Sequence, residues 1–228
     1  MQRPTRPKPS TAKPVRADMR VVTAAAAAAV VAILAAWVLW PSATAKNLDS
    51  RGANIIAFGD SLTAGYGAGS GEDYPSRLSA QINAPVINAG VSGDTTEAAL
   101  ARIEADVLTR DPRIVIVGLG GNDFLRQVPI STTEANLRAI VRRIQDAGAM
   151  VVLLGFDFPS FGPKYDDMYE RVADEEGCLF VGDVLAGILR DPALKSDEIH
   201  PNARGYEKMA QRVAGPLAKL IRKAGGRR

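Results

Sequence analysis

The strongest constraint on this 228-residue chain is a regular alternation, from residue 53 onward, of unbroken apolar runs and helix-length segments. The apolar runs are rich in β-branched residues and span residues 53–58, 85–88, 113–120, 149–156 and 178–183. Runs that are apolar at every position are typical of strands covered on both faces. This alternation predicts right-handed crossovers and a central parallel sheet of about five strands between two helical layers, a three-layer α/β/α fold.

The longest helical segments are predicted at residues 94–110, 131–148 and 203–225. Asp94 and Glu97 are spaced like a capping box at the start of the first segment, and Ser131 and Glu134 repeat this spacing in the second. No internal repeat or linker interrupts the alternation, so residues 53–224 are predicted to form one domain.

The residues before this domain divide into three parts. Residues 1–20 are basic and Pro-rich, and they are predicted to be disordered because they cannot bury a core. Residues 21–40 carry no charge and are long enough to cross a bilayer as a helix. Residues 41–52 are predicted to be a linker.

Two interpretations of residues 21–40 stay open. The length of the segment and the tryptophans at positions 37 and 40 favour an uncleaved transmembrane anchor. Its alanine-rich composition and the following Ala43-Thr44-Ala45 favour a cleaved signal peptide. Both interpretations predict an exported domain, periplasmic or otherwise extracytoplasmic, which stays attached to the membrane if residues 21–40 are not removed.

The formal net charge of +3 belongs to the amino-terminal region. Residues 1–46 contain seven Lys and Arg against one Asp, a net charge of +6, so the remaining 182 residues carry a net charge of −3. Because nucleic-acid binding needs basic residues clustered on the folded domain, no nucleic-acid partner is predicted.

Chemically useful residues follow the predicted strands. Ser61 follows the first strand, Gly90 ends the second and Asn122 follows the third, while Asp197 and His200 precede the last helix. Ligands of such sheets bind at the carboxyl ends of the strands. A serine nucleophile needs a base near neutrality, and His200 is the sole histidine of the sequence. Asp197, three residues earlier, can orient the imidazole.

Acyl transfer also needs hydrogen-bond donors for an oxyanion, and the backbone N–H groups of Ser61 and Gly90 and the Asn122 amide are candidates. Each residue taken alone is more simply a turn former, so the inference depends on their coincidence at one sheet edge. A single histidine without a thiolate cluster is a poor zinc site, and neither a metal nor a cofactor is predicted. The pattern identifies no substrate-binding residue.

Four sequence blocks carry a family resemblance: GDSLTAGYG, NAGVSGDT, GGND and DEIHP. In this order they resemble the SGNH or GDSL hydrolases, most closely the bacterial periplasmic branch of acyl-CoA thioesterase I, lysophospholipase and arylesterase enzymes. The resemblance implies a flavodoxin-like α/β/α fold and a serine mechanism without metal. It makes Ser61 the nucleophile, His200 the base and Asp197 its orienting residue, with Ser61, Gly90 and Asn122 forming the oxyanion hole.

The expected function is therefore hydrolysis of small acyl esters or thioesters, with lysophospholipid as one candidate substrate. An O-acetyl esterase acting on an envelope polysaccharide is the first alternative, and a non-catalytic, membrane-tethered binding protein is the second. The sequence predicts neither the acyl-chain length nor the oligomeric state.

Overall fold

The computed structural model describes residues 45–156 and 162–226. Its sheet has five parallel strands in the spatial order β2-β1-β3-β4-β5. The strands are Asn54–Gly59 (β1), Val86–Gly90 (β2), Pro112–Gly118 (β3), Met150–Leu154 (β4) and Leu179–Val181 (β5). The predicted parallel sheet is confirmed, and its strand order is that of the flavodoxin-like doubly wound folds.

Helices cover both faces of this sheet. They are Ser61–Ala64 (α1), Tyr74–Ile82 (α2), Thr96–Asp106 (α3), Gly121–Leu125 (α4), Ile130–Asp146 (α5), Pro163–Glu176 (α6) and Ala203–Gly225 (α7), with a 3₁₀ turn at Leu108–Arg110. Helix α7 packs against α2, whereas α5 packs against both α3 and α6, which gives two helical sets. The sheet and the two sets form the predicted three-layer sandwich.

The unbroken apolar runs mark the centre of the sheet, as the sequence predicted. All five residues of β4 are buried, and so are residues 114–117 of β3. The outer strands β2 and β5 are only partly covered. Full burial of a central strand on both faces explains why its sequence shows no apolar and polar alternation.

Neither predicted capping box forms, because Asp94 and Ser131 do not cap their helices. The side chain of Thr95, not Asp94, caps α3 by accepting a hydrogen bond from the Ala98 N–H at 3.2 Å. Asp94 forms a close ion pair with Arg102 instead, at 2.6 Å. Helix α5 begins at Ile130 after Pro129 and has no side-chain cap, so Ser131 lies inside its first turn.

The folded structure begins before the predicted boundary at residue 53. Ala45 and Leu48 are buried, and the Asn47 side-chain amide donates to the backbone oxygens of Gln145 and Ala149 at 2.8 and 3.0 Å. Residues 45–50 of the predicted linker are therefore packed onto the domain.

The predicted leader and apolar segment, residues 1–20 and 21–40, lie outside the described residues. Within residues 45–156 and 162–226, no helix is long and apolar enough to cross a membrane.

Candidate active site

Three strands end level with one another at the edge where Ser61 lies. Gly59 of β1 is paired with Gly90 of β2 on one side and Gly118 of β3 on the other. A Cβ atom at Gly59 would lie 2.5 Å from the Gly118 carbonyl oxygen, so this end of β1 has no room for a side chain. The chain then turns at once into the four-residue helix α1, whose first residue is Ser61.

Asp60 joins β1 to α1 and serves as the N-cap of this short helix. Its side chain accepts a hydrogen bond from the Leu62 N–H at 3.0 Å. As the first residue of α1, Ser61 has a backbone N–H without an intrahelical acceptor. The hydroxyl and the free N–H of Ser61 therefore lie together at the sheet edge.

The structure brings Ser61, His200 and Asp197 into one hydrogen-bonded chain. Ser61 Oγ lies 2.9 Å from His200 Nε2, although the two residues are 139 positions apart in sequence. His200 Nδ1 lies 2.8 Å from Asp197 Oδ2 and 3.0 Å from Oδ1. An ionised Asp197 accepts from Nδ1, which leaves Nε2 as the acceptor for the serine hydroxyl.

Local contacts keep Asp197 ionised. Partial burial acts to raise the pKa of its carboxyl group, but the hydrogen bonds from Ile199 and His200 together lower that pKa. The backbone N–H groups of Ile199 and His200 both donate to Oδ1, at 2.9 and 2.8 Å. The turn at residues 197–200 therefore fixes the carboxylate and the ring that it orients.

His200 is held from two further sides. The Ser196 N–H donates to the His200 carbonyl oxygen at 2.9 Å, which closes the turn. The Tyr66 ring packs against the imidazole, with ring centroids 4.5 Å apart. The Tyr66 backbone is held in turn, because its carbonyl oxygen accepts from the Tyr206 hydroxyl at 2.8 Å. The imidazole therefore has packed neighbours besides its catalytic contacts.

Asn122 lies in the first turn of α4 and links the three strand-end loops. Its Nδ2 atom donates to the Asp94 carbonyl oxygen at 3.0 Å and to Asp60 Oδ2 at 3.3 Å. The adjacent Asp123 is buried and accepts from the Thr96 N–H at 2.8 Å. These bonds hold the Asn122 amide in the depression that Ser61 also lines.

Gly90 does not offer its N–H to a ligand, contrary to the sequence-based assignment. That N–H already donates to Asn88 Oδ1 at 2.9 Å. Glycine is required at this position for close packing, because a Cβ atom at Gly90 would lie 2.2 Å from the Ala64 nitrogen. Gly90 is therefore a residue of close backbone approach between β2 and α1.

Gly93, which sequence reasoning missed, has the properties expected of Gly90. Its φ of +86° is in the left-handed region, which favours glycine. Its N–H donates no hydrogen bond to any residue that the structure describes. The neighbouring Asp94 carries the carbonyl oxygen that binds Asn122. The second glycine of NAGVSGDT, directly before an aspartate in a turn, was the available signal.

Replacing Gly90 with alanine is expected to destabilise the fold by about 1–3 kcal/mol, because the new Cβ meets backbone atoms of α1 that cannot rotate away. Gly215→Ala is the matched control, since Gly215 lies within α7 with open space around it. The control should be neutral or stabilising, because glycine weakens a helix interior. Urea unfolding of both variants measures the difference, and equal midpoints would refute the packing role of Gly90.

A shallow depression surrounds the reactive groups. It encloses about 20 Å³, room for about one water molecule. It is lined by Asp60, Ser61, Leu62, Gly121, Asn122, Leu125, Ile199 and His200. In the described part of the chain, the exposed large hydrophobic side chains are Tyr66, Val91 and Leu125. Leu125 lines this depression and Tyr66 packs against the His200 ring, while Val91 directly follows β2 at the same sheet edge. These three side chains are called the apolar rim below.

The described residues do not form a candidate metal site. Within the described ranges, no group of three or more His, Cys, Asp and Glu side chains could hold a metal ion. The expectation of a reaction without metal or cofactor stays a prediction.

Comparison with known proteins gives consistent similarities. Residues 57–208 match the GDSL-like Lipase/Acylhydrolase family. An arylesterase from Vibrio mimicus is 31% identical over 178 residues, which cover 73% of this chain and 89% of that protein. Thioesterase 1/protease 1/lysophospholipase L1 from Escherichia coli K12 is 32% identical over 175 residues, 73% of this chain and 84% of that protein.

A solved structure agrees with these sequence similarities. The crystal structure of AlinE4, an SGNH-hydrolase family esterase, superposes with a TM-score of 0.59 at 38% identity. The match covers 75% of this chain and 97% of AlinE4. The family match spans more than half of the sequence and contains all five predicted site residues together with the fold that positions them. The chain therefore belongs to the GDSL-like lipase and acylhydrolase family and is a carboxylic ester hydrolase.

Proposed function

We propose that the protein is a serine esterase that hydrolyses acyl esters or thioesters through a Ser61–His200–Asp197 triad. The observation that carries this proposal is the continuous chain of short contacts from Ser61 Oγ through the imidazole to Asp197. A nucleophile, a base and an orienting carboxylate in hydrogen-bond sequence are the requirements for nucleophilic acyl transfer. Family membership and the presence of all three groups disfavour the non-catalytic binding protein.

In the proposed mechanism, Ser61 Oγ attacks the substrate carbonyl carbon while its proton passes to His200 Nε2. The carbonyl electron pair moves to the oxygen, which becomes the oxyanion. As the intermediate collapses, the bond to the leaving alcohol or thiol breaks and His200 gives its proton to that group. Water then attacks the acyl-serine with His200 as base, and Ser61 regains its proton.

We assign the oxyanion donors to the Ser61 N–H, the Gly93 N–H and the Asn122 side-chain amide. The first two have no acceptor among the described residues, and the third lies beside Ser61 in the same depression. Preorganised donors of this kind are each worth about 3–4 kcal/mol of transition-state stabilisation.

The surroundings of the depression support a proposal for the substrate class. Its small volume accommodates the reacting carbonyl group, so the rest of an acyl or aryl group would lie across the apolar rim. The similar proteins from Vibrio mimicus and Escherichia coli are named as an arylesterase and as a thioesterase and lysophospholipase. Aryl esters, acyl thioesters and lysophospholipids are accordingly the proposed substrates.

A side-by-side assay tests this assignment. The full chain is given p-nitrophenyl esters of increasing acyl length, an acyl-CoA, a lysophosphatidylcholine and acetylated xylan, with kcat/KM measured for each. Higher kcat/KM for esters or thioesters with apolar acyl groups supports the proposal. A preference for acetylated xylan supports the O-acetyl esterase alternative and refutes the proposed substrate class.

We further propose that the domain acts outside the cytoplasm. The uncharged residues 21–40 after a basic leader motivate this proposal, since such a segment directs export whether or not it is cleaved. Fractionation of the producing cell followed by amino-terminal sequencing tests it. A cytoplasmic protein with an intact leader would contradict export, and a start near residue 46 would identify a cleaved signal peptide.

A further inference from the structure

A buried carboxyl group directly precedes the reactive serine in the sequence and has no part in the triad. Asp60 is 2% exposed and makes hydrogen-bond contact with Asn122 of α4. Its Oδ1 atom accepts from the Leu62 N–H at 3.0 Å, and its Oδ2 atom accepts from Asn122 Nδ2 at 3.3 Å. Asp60 therefore connects the helix that presents the nucleophile to an oxyanion donor.

The two hydrogens of Asn122 Nδ2 are both used in this arrangement. One is donated to the Asp94 carbonyl oxygen at 3.0 Å and the other to Asp60 at 3.3 Å. A substrate oxyanion can receive a hydrogen bond from this amide only if one of these bonds is exchanged. The bond to Asp60 is the longer of the two, and we infer that it is the bond that exchanges.

Both oxygens of the Asp60 carboxyl group face donors. A protonated carboxyl group would direct its own O–H at one of these donors, and no acceptor for that proton appears among the residues that the structure describes. The geometry therefore fits the ionised form. Burial first, and then the charges of Asp94 and Asp123, raise the pKa of Asp60 to about 7.

Other titratable groups around Asp60 come from every layer of the fold. Asp94 precedes α3 and is paired with Arg102, and Asp123 lies in α4 and binds Thr96. Three buried tyrosines from α2, α6 and α7 also interact electrostatically with Asp60. Burial first, and then the Asp60 charge, raise their pKa values, so these phenols stay neutral near pH 7. They are Tyr74, Tyr169 and Tyr206. Asp60 is thus a buried group whose charge changes near neutral pH.

We propose that Asp60 is a positioning residue for ester hydrolysis: its carboxylate holds the Asn122 amide beside Ser61 and releases one N–H to the oxyanion as the tetrahedral intermediate forms. This inference rests on the proposed serine mechanism. Protonation of Asp60 removes an acceptor and sets its O–H against an N–H, so Asn122 loses its fixed orientation. Catalysis therefore requires the deprotonated form of two groups, the Asp60 carboxyl and the His200 imidazole.

Asp60→Asn tests the proposal, because asparagine keeps the shape and the capping ability of aspartate but cannot ionise. We expect kcat to fall about 10–100-fold with KM within about 3-fold, since the donor acts mainly on the transition state. Below neutral pH, log kcat should fall more steeply in the wild type than in Asp60→Asn, by up to the one to two log units that neutralising Asp60 costs.

Asp73→Asn is the matched control. Asp73 is likewise a helix N-cap, accepting from the Ser76 N–H at 2.9 Å, and it does not contact Asn122. The control should keep the wild-type slope. In an Asn122→Ala background, Asp60→Asn should cost no further kcat, because the two residues act through one interaction. Wild-type slope in Asp60→Asn, or additive losses in the double variant, would overturn the proposal.

A second measurement covers the case in which Asp60→Asn does not fold. In ¹⁵N-labelled wild-type protein, the Asn122 side-chain amide signals should shift with a midpoint near pH 7, and Ser61→Ala should keep that shift. Signals that do not move between pH 5 and 9 would overturn the inference. The serine mechanism is tested independently of Asp60, because turnover retained by folded Ser61→Ala would refute it whatever the result for Asp60→Asn.

Discussion

Replacing Ser61 with alanine is expected to lower kcat for p-nitrophenyl butyrate by about 10⁴-fold or more, with the fold intact. The change removes the oxygen that lies 2.9 Å from His200 Nε2, so no covalent acyl-enzyme can form. A loss of 10⁴ corresponds to about 5.5 kcal/mol of activation free energy. The remaining activity would come from the oxyanion donors acting on water.

Ser70→Ala is the control for this experiment, because Ser70 is an exposed serine in the loop between α1 and α2. It should keep wild-type kcat. Circular dichroism and urea unfolding of Ser61→Ala check that its structure is retained. A folded Ser61→Ala enzyme with kcat within 10-fold of the wild type would exclude the serine as the nucleophile.

Replacing Asp197 with asparagine is expected to lower kcat by about 10²–10³-fold with little change in KM. An asparagine amide presented to Nδ1 favours the imidazole tautomer with its proton on Nε2, which cannot accept from Ser61. The loss for a buried aspartate in this role is about 10⁴-fold. Here the Asp197 side chain is 44% exposed, so water replaces part of its stabilisation and a smaller loss is expected.

The neighbouring Glu198 provides the control for Asp197. Its side chain is 91% exposed and its ion pair with Lys195 does not contact the imidazole. Glu198→Gln should therefore match the wild type in kcat and KM. If Asp197→Asn also matched the wild type, the carboxylate would have no orienting role, and the proposed triad would reduce to a Ser–His pair.

The sheet could be predicted from the sequence because its central strands are buried on both faces and are therefore apolar at every position. Residues 114–118 and 150–154 show this directly. Helix starts were predicted less well, because a spacing of three between an acidic and a capping residue arises easily by chance. Asp94 forms an ion pair with Arg102 of α3 instead of capping that helix, and the spacing pattern gives no sign of this pairing.

The candidate site was predictable to the extent that one fold rule brings strand ends together. Ser61 and His200 are 139 residues apart, and only the shared sheet edge made their pairing an expectation. Whether Gly90 or Gly93 supplies the oxyanion N–H depends on where β2 ends and on which N–H is already hydrogen-bonded. Gly90 still belongs to β2, where its N–H is satisfied, whereas Gly93 lies in the following turn with positive φ.

The role inferred for Asp60 depends on three-dimensional contacts. In sequence, Asp60 is one letter of the GDSL block and suggests a loop-shaping residue. Its burial and its contact with Asn122, 62 positions away, are visible only once β1 and β3 are aligned. The start of the packed structure at residue 45 likewise depended on Asn47 reaching the end of α5.

The central claim, that Ser61 is an activated nucleophile, is tested most directly by reaction with a fluorophosphonate followed by peptide mass mapping. Fluorophosphonates phosphonylate serines that a neighbouring base has activated, and fluoride is the leaving group. We expect one adduct, on the peptide that contains Ser61, with matching loss of esterase activity and no labelling of Ser61→Ala. An adduct on a different residue, or full loss of activity without an adduct on Ser61, would contradict the proposed mechanism.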